Sequence, residues 1–314
     1  MTHIGDSNPL ENRRIRPTGY TFPEFLVVFA MIAMLLAMLL PAVQQAREAA
    51  RRVQCQNNLV QIGIALTNYT ATHDVLPPGS QDNQGPIRSR ENGGYHMGWL
   101  TQLLPYLEKQ NAHAEIDFTS SVYDPVNLPV RQQRMNVFVC PSAAAPEPLK
   151  FAWTNYSGVN NDSESAIDVD RAGVLFLNSA IRYEQIRDGS SNTLFVVECR
   201  TVSANNLGWM SGTRSSLRNL VRAVENPRTD IAGTRIEANR KTQFVHLNDA
   251  NDSNQSPAEI ESDFDSVGGP GSSHRALFHV LLGDGTVRAI SHSIDPATLR
   301  KLAHRADGEM VPEF

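Results

Sequence analysis

The sequence predicts an α+β protein, with one long N-terminal transmembrane and stalk helix packed on a mixed domain that carries an antiparallel β-sheet. Three observations predict it. Residues 25–43, FLVVFAMIAMLLAMLLPAV, run for 19 residues without a charge. Sequence rich in Ala, Gln, Arg and Leu continues from there to about Asp74 and carries one apolar face. Beyond it, short apolar runs alternate with polar, turn-rich stretches, the pattern of strands in a loop-rich domain.

Taken in order, the apolar run comes first. A helix rises about 1.5 Å per residue, so this run approaches the ~20 residues needed to cross a bilayer. Arg13, Arg14 and Arg16 precede it and Arg47, Arg51 and Arg52 follow it, so the positive-inside rule leaves the orientation open. The alternatives are a buried core helix, which would carry a polar stripe, and a secretory signal, which would end at a small-residue cleavage site. Here Gln44, Gln45, Ala46 and Arg47 follow instead. Glu24 stands one turn inside the apolar helix, where a carboxylate is costly unless something pairs with it. Further on, Leu59, Ile62, Leu66, Tyr69 and His73 recur at three- and four-residue steps, and Leu76-Pro77-Pro78-Gly79 ends the helix.

Residues 99–110 suit a short helix that Pro105 limits to a turn or two. Strands are expected at 136–140, 173–177 and 193–198, and long loops with a few strands over 201–265. Residues 276–291, ALFHVLLGDGTVRAIS, read as a hairpin around Asp284-Gly285, a preferred two-residue turn. That turn pairs Gly283 with Thr286 and brings Leu277 opposite His292. Phe278, Val280, Leu282, Val287 and Ala289 then form a buried face. Leu277, His279, Leu281, Arg288, Ile290 and His292 form a half-exposed one. Asp295-Pro296 reads as the N-cap and first residue of a short helix ending at Ala303.

The whole chain has 314 residues, with 28 Lys and Arg against 33 Asp and Glu for a net charge of -5. Its mean hydropathy of -0.31 excludes a multi-span membrane protein. The absence of a dense basic block argues against nucleic acid as a partner. Three cysteines exclude a disulfide-dense scaffold and leave room for one bridge. No GxSxG, P-loop or helix-opening GxGxxG is present, so no enzyme activity, catalytic residue or cofactor is expected. Ser190 and Ser191 follow Asp188-Gly189 in what reads as a turn entering a strand. His274, His279 and His292 lie near one another in sequence, but no HExxH or CxxC accompanies them and no metal is expected. Residues 249–254 resemble the start of a calcium loop, yet the sixth position lacks Gly and Ile260 stands where Glu belongs, so a polar surface loop is expected.

Gly19-Tyr20-Thr21-Phe22-Pro23-Glu24-Phe25-Leu26 resembles the class III signal of type IV prepilins and type II secretion pseudopilins. The resemblance implies cleavage after Gly19 by a prepilin peptidase on the cytoplasmic side, and methylation of the new terminus at Tyr20. Glu24 becomes the fifth mature residue, whose carboxylate pairs with the terminal amine of a neighbouring subunit. Pro41 falls where such helices kink. The implied boundaries are a leader at 1–19, a transmembrane and stalk helix at 20–75, and an extracytoplasmic domain at 76–314. The implied location is the cytoplasmic membrane, crossed once, with a periplasmic or cell-surface domain.

His274, nine residues, then Asp284-Gly285 is similar to the H-X9-DG motif of the DUF1559 family, whose members carry prepilin-type N-termini. Other blocks also resemble that family: Cys55-Gln56-Asn57-Asn58-Leu59, Leu76-Pro77-Pro78-Gly79, residues 103–108, Cys140-Pro141-Ser142 and residues 188–193. Arg275-Ala276-Leu277 stands where relatives carry Pro-Gly-Gly. An exported domain meets oxidising conditions. Because Cys55 and Cys140 lie in family-like blocks, the resemblance implies a Cys55–Cys140 bridge with Cys199 reduced, the alternative being three buried thiols. His274 and Asp284, ten extended residues and about 30 Å apart, cannot form a dyad and read as architectural. The expected function is a structural subunit of a type IV pilus or type II secretion-like assembly, or surface display, with prepilin peptidase, other pilin-like subunits and the membrane as partners. A tethered solute- or carbohydrate-binding module, with a pocket lined by exposed Trp153, Trp209 or Tyr156, is the alternative. A tethered hydrolase is the third.

Overall fold

A computed structural model describes residues 22–91, 93–145, 150–201, 206–221, 223 and 267–314. The leader up to Gly19 and the expected new terminus Tyr20 lie outside these residues, as do the calcium-loop-like stretch at 249–254 and most of the expected loops at 201–265.

Helix α1 spans Phe22–His73, including Pro41, and carries Glu24 in its first turn. The chain divides into two units, Met1–Ala49 and Ala50–Phe314. In the first, the side chains of α1 from Phe25 to Leu40 are exposed over an apolar stretch long enough to cross a membrane. By length and composition this helix fits a single-pass membrane anchor.

The second unit opens on the remainder of α1, which buries Cys55, Asn58, Leu59, Ile62, Gly63, Ala65, Leu66 and Tyr69. The face expected from the three- and four-residue spacing is therefore the packed one, except that His73 is exposed and stacks on Tyr69. Asp74 ends the helix in a left-handed conformation (φ 62°) while its N–H still donates to the Thr70 carbonyl at 2.8 Å. A small ribbon follows, β1 (Ser80–Gln81) against β2 (Met97–Gly98). Short helices come next: α2 (Trp99–Leu103), which tightens into a 3-10 turn at Leu104–Leu107 around Pro105, then α3 (Gln110–Ala114) and α4 (Leu128–Gln132).

The main sheet contains β3 (Tyr156–Asn161), β4 (Leu194–Glu198), β5 (Leu217–Asn219), β6 (Leu277–Leu282) and β7 (Val287–Ser291), in the order β5-β3-β4-β6-β7. The β3–β5 pair is parallel and the other pairs are antiparallel. Helix α5 (Pro296–Ala303) closes the chain, and the Asp295 carboxylate accepts the Thr298 N–H at 3.0 Å as its cap. One apolar cluster joins α1 to Tyr156, Phe195, Val196 and Leu281; the other joins α5 to Leu194, Val197, Phe278, Val280 and Ile290. The central strands are thus covered on both faces, which explains why β4 reads as a continuous apolar run. A register shift between Leu194 and Val196 lets the consecutive residues Phe195 and Val196 enter the same cluster.

Three sequence expectations change. Residues 136–140 form a 3-10 turn at Asn136–Phe138 rather than a strand. A short apolar run does not distinguish a strand from a buried turn, and here Phe138 is held by packing on Trp209, with ring centroids 5.3 Å apart. Residues 173–177 join no named strand and share one bridge, Leu177 with Ser80. In the C-terminal hairpin, Leu277 faces Ser291 rather than His292, because Gly283, Asp284 and Gly285 make a three-residue loop. Gly285 takes φ 84°, the left-handed residue that such a loop requires. One residue of slip turns β7 over: Ile290 is buried beside Phe278 and Ala289 is exposed, while on β6 Leu281 is buried against Gly63 of α1 and His279 against Glu198.

Gly79 shows why the Leu-Pro-Pro-Gly block ends in glycine. A Cβ there would lie 2.4 Å from the Leu175 carbonyl carbon and 2.6 Å from the Phe176 nitrogen, both main-chain atoms. Gly79→Ala is therefore expected to destabilise the domain by about 3 kcal/mol, at the upper end for overpacking, since backbone yields less than side chains. Denaturant unfolding in detergent, followed by the fluorescence of buried Trp99, Trp153 and Trp209, reads this directly. A change under about 1 kcal/mol would mean that the segment shifts freely.

Candidate functional site: a buried disulfide, imidazole and carboxylate cluster

The site is assembled from four distant stretches of chain. Cys55 lies on the buried face of α1, and Cys140 follows the 3-10 turn at Asn136–Phe138. They form a disulfide with Cα atoms 5.3 Å apart, across 85 residues of sequence. The Asn155 side chain accepts the Cys140 N–H at 3.1 Å, while the Asn155 N–H donates to Phe138 O at 2.8 Å. On the helix side, Tyr156 donates its hydroxyl proton to Cys55 O at 3.3 Å. Asn58 donates to Val139 O and to the Tyr156 hydroxyl, both at 3.2 Å. Burial pushes the Tyr156 phenol well above its ordinary pKa, so it remains a proton donor to the helix carbonyl.

Against this bridge lies His274, fully buried, with Nε2 3.5 Å from Cys140 Sγ and 3.8 Å from Glu198 Oε1. Glu198 ends β4 and is 1% exposed. Its Oε2 accepts the His279 N–H at 2.9 Å and lies 3.2 Å from His279 Nδ1. The rings of His274 and His279 meet edge to face at 5.3 Å. Donor atoms of Cys55, Cys140, Glu198 and His274 all lie within 4.8 Å of one another. A carboxylate in such surroundings is costly unless paired, and its partners here are two imidazoles.

The structure therefore brings His274 and His279 together but moves their meaning. His274 does not merely cap the start of β6; it touches the disulfide. His279 is buried rather than half-exposed, and His292 is also buried, with its ring 5.5 Å from that of Phe278. Glu198 escaped the sequence reading, although a carboxylate closing the run Leu194–Glu198 was the available signal. Cys199 is a free, buried thiol whose pKa is raised by burial, and Ser157 donates to its sulfur at 2.9 Å.

Asp284-Gly285 sits at the hairpin tip. The Asp284 carboxylate accepts Thr286 N–H at 2.9 Å, and the Asp284 N–H donates to Ser190 O at 3.1 Å. Gly283 N–H donates to Thr193 O at 3.0 Å, so the 188–193 block and the hairpin tip hold each other. Ser190 and Ser191 form a 3-10 turn before β4, as the sequence implied. Asp188 lies beside His304 and Asp307 and accepts N–H groups of Asp307 and Gly308, each at 2.8 Å, which ties down the C-terminal segment. Trp153, Trp209 and Tyr156, the aromatics considered for a carbohydrate platform, are all buried.

No curated protein and no solved structure matches the chain. The model of the family described as a protein of unknown function, DUF1559, matches residues 44–297. That match takes in the disulfide, Glu198, both imidazoles beside it and the hairpin tip, and the chain belongs to the DUF1559 family.

Proposed function

We propose that the chain is a pilin-like subunit, anchored by α1 and processed after Gly19 by a prepilin peptidase that methylates Tyr20. It assembles through its N-terminal helix into a type IV pilus or a type II secretion-like structure, or is displayed at the surface with its domain outside the cytoplasmic membrane. The observation that carries this reading is that one helix, Phe22–His73, is apolar and exposed in its first half and domain core in its second. A simple tether has no need to continue as a packed core element, whereas a subunit must transmit helix–helix contacts to its domain. Ala30, Ala33 and Ala37 provide small surfaces for close helix approach. Glu24 then meets the terminal amine of a neighbouring copy, which removes the cost of a carboxylate in lipid.

Sequencing the N-terminus of the membrane-bound protein tests the processing step. Methylated Tyr20 is the expected result, and an intact Met1 defeats the reading. Glu24→Ala is expected to abolish assembly, measured as sheared or cross-linked multimers, with the domain's unfolding midpoint unchanged. Normal multimers from that variant would overturn the role given to Glu24.

A further inference from the structure

We propose that the Cys55–Cys140 pair has a second state. When the bond is open, Cys55, Cys140, His274 and Glu198 bind one zinc ion, which holds α1 to the domain in place of the disulfide. The inference stands independently of the assembly reading above, because it concerns only the domain's interior.

The donor set is the first argument. Two thiolates, one imidazole and one carboxylate are ligands that zinc accepts in four-coordinate sites, with bonds of about 2.0–2.3 Å and ligand atoms therefore about 3.3–3.8 Å apart. Cys140 Sγ to His274 Nε2 is 3.5 Å and His274 Nε2 to Glu198 Oε1 is 3.8 Å, and no donor pair among the four exceeds 4.8 Å. The sulfurs must separate to roughly 3.8 Å, a distance typical of two zinc thiolates, and Cα atoms 5.3 Å apart permit this by side-chain rotation.

The second argument is independent of the cysteines. Glu198 Oε1 is fully buried and accepts no hydrogen bond from the described residues. Its twin, Oε2, is held by the main-chain N–H and the ring of His279. A buried carboxylate oxygen without a hydrogen bond leaves room for an ion, and this one lies beside the sulfurs with only the His274 ring, at 3.8 Å, near it as a partner among the described residues. The arrangement leaves Oε1 as a single-oxygen ligand and makes His279 the outer residue that orients it. All four ligands come from the protein and all are buried, so the site is closed and structural rather than open and catalytic.

The chemistry balances through an external dithiol. Once local opening admits an external dithiol to the buried bridge, thiol–disulfide exchange breaks the protein S–S bond, the dithiol is oxidised to its own disulfide, and its two protons pass to Cys55 and Cys140. Zinc binding then expels both protons from the thiols, while Glu198 binds as carboxylate and His274 through neutral Nε2. Uptake is consequently favoured as pH rises. Reoxidation by a disulfide carrier reverses the sequence and releases the ion.

The test uses the full chain in detergent, reduced with a phosphine, freed of metal and desalted without oxygen. One equivalent of zinc or cobalt(II) is expected to bind per reduced chain. The cobalt form should show a thiolate-to-cobalt charge-transfer band and the strong visible bands of a tetrahedral site, and the disulfide form should bind at least 10-fold less. His279→Gln is expected to lower zinc affinity by about 10-fold, within the range seen for residues that orient a ligand, and His274→Ala, which removes a ligand, by at least about 100-fold. Cys199→Ser should change nothing. If His274→Ala fails to fold, seen as reaction of the buried Cys199 with a thiol reagent, the wild-type cobalt spectrum decides alone. No stoichiometric binding, an octahedral spectrum without charge transfer, or a folded His274→Ala chain that binds as tightly as wild type would overturn the proposal.

Discussion

Opening the Cys55–Cys140 bond in the absence of metal is expected to lower the domain's unfolding free energy by about 4 kcal/mol. In the chain-entropy account, a bridge closing a loop of 85 residues removes conformations mainly from the unfolded chain. The folded state keeps its other ties at the same place: Tyr156 to Cys55 O, Asn58 to Val139 O, and the apolar contacts of Leu59 and Ile62. The domain should therefore remain folded after reduction while unfolding at clearly lower denaturant concentration. Cys55→Ala should reproduce the effect without a reductant. Parallel curves for the oxidised chain, the chain reduced with chelator present, and the variant give the measurement. A loss below about 1 kcal/mol on reduction would mean that the unfolded chain already holds these segments together.

Glu198→Ala is expected to cost a similar amount, about 3–5 kcal/mol, for a different reason. Removing one member of a buried charged group leaves its partners dry and unsatisfied. The His279 N–H would lose its acceptor at 2.9 Å, and His274 would lose the carboxylate 3.8 Å away. Because His279 lies on β6 and Glu198 on β4, the damage falls on the pairing that joins the C-terminal hairpin to the rest of the sheet. Glu198→Gln keeps an acceptor for the main-chain N–H and should cost about 1–3 kcal/mol. Hydrogen exchange at the amides of β6 would place the loss as well as measure it. If Glu198→Ala and wild type unfold within about 1 kcal/mol of each other, the carboxylate does not hold the hairpin.

The elements that local rules govern are legible in the sequence alone. The 52-residue helix, the start of α5 at Asp295-Pro296, strand β4 and the location of the hairpin all follow from periodicity, capping and turn chemistry. Strand β3 was not legible. Its sequence, YSGVNN, is polar and lacks alternation, yet every residue of it is buried between two neighbours in the sheet. Asn161 donates to Ser163 and Ser165 just beyond its own strand, and Asn160 donates across the sheet to Asn219 Oδ1 at 2.7 Å. Such pairing is invisible in a single strand. The hairpin register failed for a smaller reason. Asp-Gly permits both a two-residue and a three-residue loop, and the bond from Gly285 N–H to Leu282 O selects the latter.

By itself, then, the sequence determined an apolar anchor-length helix that continues into a packed stalk, an α+β domain and its family, because helix periodicity and spaced motifs are local properties of the chain. Only the tertiary structure decided what the motifs do together. The Cys55 and Cys140 blocks and His274, from opposite ends of the domain, meet at one point with a glutamate that no motif marks. The physical reason is burial. The cost of an unpaired carboxylate or thiol depends on which groups long-range folding brings within a few ångströms, and spacing along the chain does not contain that distance.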